Sequence, residues 1–229
     1  VSPCCCKKAA GISPRFDELI AAASPDAPFK LGFFGGTFDP LHVGHLALAQ
    51  AAYEAFNLDG VLLVPTGLPV RKMASFHASA EHRYAMLQAA LAEVPHFDAS
   101  RIEIDREGAT YTIDTLRALA ETFSKRAALF FICGSDTTND LPTWKEAGEI
   151  AKLVTVLSAQ RAGSEQAVLS QEAAEQKTAL QQFTILPFEM PPVAVSSSLV
   201  RKRIQEGLAV EDLIPKAVEF YIEKHGLYG

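Results

Sequence analysis

Apolar and polar positions along the chain follow two periods. LGFF (Leu31 to Phe34) is a short apolar run closed by Gly35 and Gly36, the pattern of a buried strand ending in a tight turn. From Val43 to Phe56 apolar residues return at helical spacing, with Leu46, Ala49, Ala52 and Phe56 on one side. A second strand is predicted over Val61 to Val64 after Gly60. Strand, helix and strand at this spacing form a right-handed crossover, so a parallel sheet is the economical architecture. Helical spacing recurs from Ala80 to Glu93, with Tyr84, Leu87 and Leu91 inward, while Arg101 to Ile104 alternates like a strand. ATYTIDTLRALAETF continues as a helix through Phe123, and ALFFIC (Ala128 to Cys133) reads as a fully buried central strand. LPTWKEAGEIA is a loop leading into a helix, and Leu153 to Leu157 is another strand. Residues 164 to 182, rich in Gln, Glu and Ala, read as a solvated helix. A last short strand over Thr184 to Leu186 precedes a loop with Pro187, Pro191 and Pro192, and Ser196 to Glu206 and Pro215 to Lys224 are predicted as closing helices. Residues 1 to 29 are expected as a polar, proline-punctuated extension in which Phe16 to Ala23 can form two helical turns.

Composition narrows the class. At 229 residues, 48% hydrophobic and 21% charged, the chain has the make-up of a globular domain with a real core. A net charge of -6 argues against general nucleic-acid binding, which needs a basic face. Cys4, Cys5 and Cys6 are adjacent and Cys133 lies in an apolar run, so neither a zinc site nor a disulfide framework is indicated, and a cytoplasmic setting is expected. No apolar run approaches the ~20 residues that span a bilayer, and no signal-peptide core is expected. GxGxxG is absent, which counts against an ordinary dinucleotide-binding oxidoreductase.

The candidate chemistry starts in LGFFGGTFDPLHVGHL, residues 31 to 46. A strand, a glycine turn and a helix start aim backbone N–H groups and a positive dipole end at one point, where an anionic phosphate can sit. His42 and His45, three apart, fall on the same side of the opening turn, so two imidazoles can converge on one phosphate. Gly44 between them keeps that surface open. Towards the other end, Ser196, Ser197 and Ser198 precede a helix start with Arg201 one turn on, which supplies hydroxyls, amide donors and a guanidinium suited to a triphosphate.

The run GGTFDPLHVGH resembles the signature of the nucleotidyltransferases with the (T/H)xGH motif, here HVGH at His42 to His45. PTGLPVRK, EHRYAML, TYTIDTL, GSD with LPTW, QRAG, VSSSLVRKRI and YIEKHGLY follow in an order that resembles the bacterial nicotinate-mononucleotide adenylyltransferases from about residue 30 to the end. The resemblance implies an α/β fold that is doubly wound and Rossmann-like, with a mostly parallel sheet, helices on both faces and a single domain over 30 to 229. It implies adenylyl transfer from ATP, arriving with Mg²⁺, to nicotinate mononucleotide, a step of NAD biosynthesis. His42, His45 and Arg201 would be catalytic, and Gly35, Gly36, Thr37, Phe38, Gly134, Asp136, Ser197 and Ser198 would join them around ATP. Thr37, Asp39, Arg71, Lys72, Thr112, Trp144, Lys145 and Arg161 would meet the mononucleotide, with Trp144 stacked on the pyridine ring and Thr112 and the backbone near Lys145 at its carboxylate. Arg71 stands where the family pattern has histidine, and QRAG lacks the usual proline after its arginine. Rival readings are transfer to nicotinamide mononucleotide or another phosphate acceptor, a non-catalytic nucleotide-binding regulator, and metal binding by His42, His45, His77 and His82.

Overall fold

The computed structural model describes residues 11–24, 26–69, 76–161 and 178–229. In chain order its elements are α1 (Pro14–Ala22), β1 (Phe29–Gly36), α2 (Val43–Phe56), β2 (Gly60–Pro65), β3 (Leu68–Pro69), α3 (Ala80–Leu91), β4 (Phe97–Ala99), β5 (Ala109–Thr110), α4 (Thr112–Phe123), β6 (Ala127–Gly134), α5 (Ser135–Asp140), α6 (Ala147–Leu153), β7 (Val154–Arg161), β8 (Ile185–Met190), α7 (Ser197–Gln205) and α8 (Lys216–His225). Six strands form one parallel sheet in the order β4-β2-β1-β6-β7-β8, and β3 and β5 pair separately.

Strand periodicity divides the core into two layers. Phe34, Leu63, Ile132 and Leu157 face one side, against α2, α3 and α8; Phe33, Leu62, Phe131 and Val156 face the other, against α1, α4 and α6. Successive strand residues point to opposite faces, so a run such as FFIC serves both layers at once. The sheet is therefore doubly wound. From β1 the chain moves outward through β2 to β4, then returns to β6 and moves the other way to β8. The carboxyl ends of the adjacent strands β1 and β6 thus border a crevice at the reversal of strand order, the usual ligand position in open parallel sheets.

Three boundaries differ from the sequence pattern. The strand expected over Arg101 to Ile104 is instead Phe97–Ala99, paired with Val61 to Leu63, while the backbone turns at Arg101, whose carbonyl accepts from the Asp105 N–H at 2.9 Å. Within that turn the neighbours Ile102 and Glu103 are both buried, so burial does not follow the alternation of the sequence. The last strand continues through Pro187 to Met190, and β8 tolerates the proline because it is an edge strand paired only with β7. At the other end, α1 is capped by Ser13 and sinks Phe16 and Ile20 into the second core layer, with Phe16 edge-on to Phe29 at 5.8 Å, so this part of the extension packs with the domain. The helix expected over 164 to 182 lies largely outside the described residues.

Candidate active site

The loop after β1 reaches α2 through residues 37 to 42. His42 is the N-cap of α2: its Nδ1 accepts the His45 N–H, and His45 Nδ1 accepts the His42 N–H, both at 3.3 Å. This reciprocal capping stacks the rings at 3.6 Å between centroids and 18° between planes. Phe38, buried with φ 49°, sets its ring edge-on to His45 at 5.0 Å. Because each Nδ1 accepts a backbone N–H, the proton of each neutral ring resides on Nε2. Burial lowers the His42 pKa to about 4, and burial followed by the charge of its neighbour holds His45 well below the usual imidazole range. The pair is therefore neutral at pH 7 and presents two Nε2–H donors.

α7 approaches the same loop from the far end of the chain. Ser196 caps it by accepting the Leu199 N–H at 3.2 Å, Ser197 Oγ donates to the Pro40 carbonyl at 2.9 Å, and Arg201 donates to the Asp39 carbonyl at 2.6 Å and to Ser198 Oγ at 3.2 Å. Arg201 and His45, 156 positions apart in sequence, are thereby held on one stretch of backbone, Asp39 to His45.

Two cavities open beside this junction. The larger, about 520 Å³, is lined by His42, Gly44, His45, Gly134, Asp136 and the loop from Pro191 to Val195. The smaller, about 260 Å³, is lined by Gly35, Gly36, Glu103, Thr110, Thr112, Gly134 and Trp144 among others. Gly134, at the end of β6, borders both. A methyl group at Gly44 would lie 2.9 Å from Val195 and 3.1 Å from the His42 ring, so only glycine lets the proline loop close on the imidazoles.

Several predicted residues take other positions. The Phe38 side chain belongs to the core, leaving only its backbone for a ligand. The Asp39 carboxylate, 5% exposed, accepts the His77 N–H at 2.8 Å, the Ala78 N–H at 3.1 Å and the Tyr228 hydroxyl at 2.7 Å, which makes it an internal brace for the loop. The Lys145 ammonium lies 3.7 Å from Asp114 and 4.1 Å over the Tyr111 ring, so its backbone is what remains for a substrate. Thr37 is exposed, and its carbonyl accepts from Arg83 at 2.8 Å. Arg71 and Lys72 lie outside the described residues, as does the Arg161 side chain at the end of β7. The four histidines of the metal reading are spread out: His77 lies 3.6 Å from Asp39, and His82 meets the Tyr221 hydroxyl at 3.0 Å. Among the described residues no three His, Cys, Asp or Glu side chains gather to hold a metal, and no helix is long and apolar enough to cross a membrane.

Arg83, Glu103 and Tyr228 join the site without a motif that marks them in the sequence. Arg83 is fully buried, donating to the Thr37 and Thr66 carbonyls at 2.8 and 2.7 Å, and so ties together the loops after β1 and β2. Glu103 lines the smaller cavity and accepts from Thr115 Oγ1 at 2.9 Å; burial raises its pKa to about 7 against the opposing pull of that bond. Both lie in stretches, EHRYAML and the turn before TYTIDTL, where only a charge at an otherwise inward-facing position marks them.

A family model described as cytidylyltransferase-like matches residues 33–203. A probable nicotinate-nucleotide adenylyltransferase of Thermus thermophilus is 42% identical over 201 residues, covering 87% of this chain and 99% of the relative. The chain belongs to this adenylyltransferase family. A relative of the same name from Leifsonia xyli is 41% identical over 211 residues, covering 92% of this chain and 98% of its own. Among solved structures, Plasmodium falciparum nicotinic acid mononucleotide adenylyltransferase complexed with NaAD superposes with a TM-score of 0.67 at 19% identity, covering 87% of this chain and 97% of that one. At that identity the likeness speaks for the fold, and the family's shared fold accounts for the crevice between β1 and β6.

Proposed function

We infer that the protein is a nucleotidyltransferase that moves the adenylyl group of ATP to nicotinate mononucleotide, releasing pyrophosphate and forming nicotinate adenine dinucleotide, a step of NAD biosynthesis. The observation that carries this reading is the pair of cavities meeting at Gly134, one bordered by two neutral imidazoles and the other by Trp144 and Thr112. A triphosphate in the larger lobe and a pyridine mononucleotide in the smaller would bring their phosphates together at the junction. A 5′-phosphate oxygen then attacks the α-phosphorus in line, the bond to the β-phosphate oxygen breaks, and its electron pair leaves with pyrophosphate. A phosphate monoester is already an anionic nucleophile, so positioning and charge stabilisation carry the rate. His42 and His45 donate Nε2–H bonds as charge moves onto the leaving group, and Arg201 adds positive charge beside the Asp39 carbonyl. Among the described residues the donor set is one of N–H groups with no cluster of three His, Cys, Asp or Glu side chains, which fits Mg²⁺ entering with ATP on phosphate oxygens and water rather than a resident ion. The aromatic lobe supports a pyridine acceptor, and a cytoplasmic setting belongs to the same proposal. Pyrophosphate release by the full chain with Mg-ATP, measured with nicotinate and then nicotinamide mononucleotide, tests the reading. Release with the nicotinate form in excess is expected. Preference for the nicotinamide form overturns the acceptor, and no release with either overturns the transfer.

A further inference from the structure

The loop carrying His42 is fixed from one direction more than any other. Four contacts join residues 39 to 43 to the C-terminal segment beyond residue 196: Arg201 to the Asp39 carbonyl at 2.6 Å, Ser197 to the Pro40 carbonyl at 2.9 Å, the Val43 N–H to the Leu213 carbonyl at 2.9 Å, and the Tyr228 hydroxyl to Asp39 Oδ1 at 2.7 Å. Three of these end on main-chain carbonyls. The fourth grips the Asp39 side chain, which also accepts the His77 and Ala78 N–H groups ahead of α3. Asp39 is thus the node where the loop before α2, the loop before α3 and the segment after α8 meet.

Tyr228 reaches that node at a cost. Its φ of 68° lies in the left-handed region, uncommon for a bulky residue and held only where surroundings over-determine it. Its ring is buried in the first core layer and its hydroxyl aims at a buried carboxylate. We propose that Tyr228 is a positioning residue for adenylyl transfer, holding Asp39 so that the Arg201 guanidinium and the stacked His42 and His45 rings stay aligned on one triphosphate. The chain of action is short. The Asp39 side chain fixes its own peptide, whose carbonyl orients Arg201, and His42 follows three residues on. Trp144 and Thr112 lie in the other lobe and share no hydrogen bond with this node among the described residues.

The proposal rests on the adenylyl-transfer reading for its catalytic consequence but not for its geometric one, so its test has two readouts on the full chain. Tyr228→Phe is compared with Val218→Ala, which removes buried volume from α8, an element that supplies none of the four contacts to residues 39 to 43. Turnover of Tyr228→Phe is expected to fall about tenfold, since small misplacements of catalytic groups cost up to ~10²-fold, with the acceptor KM within about twofold of wild type. Val218→Ala is expected to lower the melting temperature while keeping kcat within about twofold of wild type. Imidazole nitrogen NMR supplies the second readout: His42 and His45 ring-nitrogen signals should shift in Tyr228→Phe and stay in place in Val218→Ala. Coincident imidazole signals in Tyr228→Phe and wild type overturn the proposal, as does an equal loss of kcat in both variants. Wild-type protein that releases no pyrophosphate defeats the functional reading alone, and the nitrogen signals then decide the positioning role.

Discussion

At the residue scale the site depends on side chains kept in the uncharged form. His42 and His45 stay neutral in the fold, whereas an unfolded chain protonates them near pH 6.5. The His42 contribution to stability is therefore present above that pH and is lost as pH falls towards 4, and the His45 contribution has the same sign. Glu103 has the opposite sign: the fold keeps it protonated up to about pH 7, while its ordinary value is 4.5, so its contribution is present below 4.5 and is lost as pH rises through 7. Urea unfolding across pH 4 to 8 separates the two. Glu103→Gln should gain on wild type as pH rises from 4.5 to 7, and His42→Asn should flatten the acid side; parallel curves for all three proteins would contradict both assignments.

The same histidines have a structural role beside the chemical one proposed for them. His45→Ala removes a proposed phosphate donor, with an expected loss of ~10²- to 10³-fold in kcat. It also removes half of the reciprocal cap on α2, which should cost about 1 kcal/mol by thermal or urea unfolding. Arg83 is legible in the sequence only as a charge. Its burial, with the Thr37 and Thr66 carbonyls as acceptors, comes from packing that no local pattern encodes. Arg83→Met strands both carbonyls and should destabilise by about 2 to 4 kcal/mol, read by urea unfolding.

Among elements, α2 is the most legible. Its expected bounds and observed bounds coincide at Val43–Phe56 because a glycine turn, a cap and helical spacing all lie within one stretch. The N-cap of α7 is local too: Ser196 takes it, as hydroxyl residues before a helix do. What Ser197 and Ser198 do is decided elsewhere, by the Pro40 carbonyl and by Arg201. The sequence pattern ends β8 at Pro187, since a proline stops a central strand but not an edge strand, and edge position is a property of the whole sheet. Contact between α2 and the proline loop makes its own prediction. Gly44→Ala puts a methyl group 2.9 Å from Val195, so the KM for ATP should rise several-fold in steady-state assays while helix propensity improves.

For the whole molecule, the reversal of strand order between β1 and β6 places two cavities side by side with Gly134 between them. Separate lobes predict separable kinetics. Trp144→Ala should raise the acceptor KM up to about tenfold, in line with ~0.5 to 1.5 kcal/mol for aromatic stacking, and leave the KM for ATP unchanged. A parallel rise in both constants would mean that Trp144 supports the sheet rather than a ligand.

The sequence by itself determined the layered α/β plan, the strand and helix that carry HVGH, and the pairing of two imidazoles on one helical turn. These follow from periodicity and from contacts three or four residues apart, which a chain carries wherever it goes. Tertiary structure alone decided that Asp39 braces the loop, that Arg83 and Glu103 are buried, and that Tyr228 meets Asp39 across 189 positions. Each of those outcomes depends on which surfaces the sheet brings together, and a polar side chain acquires its partner, its protonation and its role only when distant segments exclude water around it.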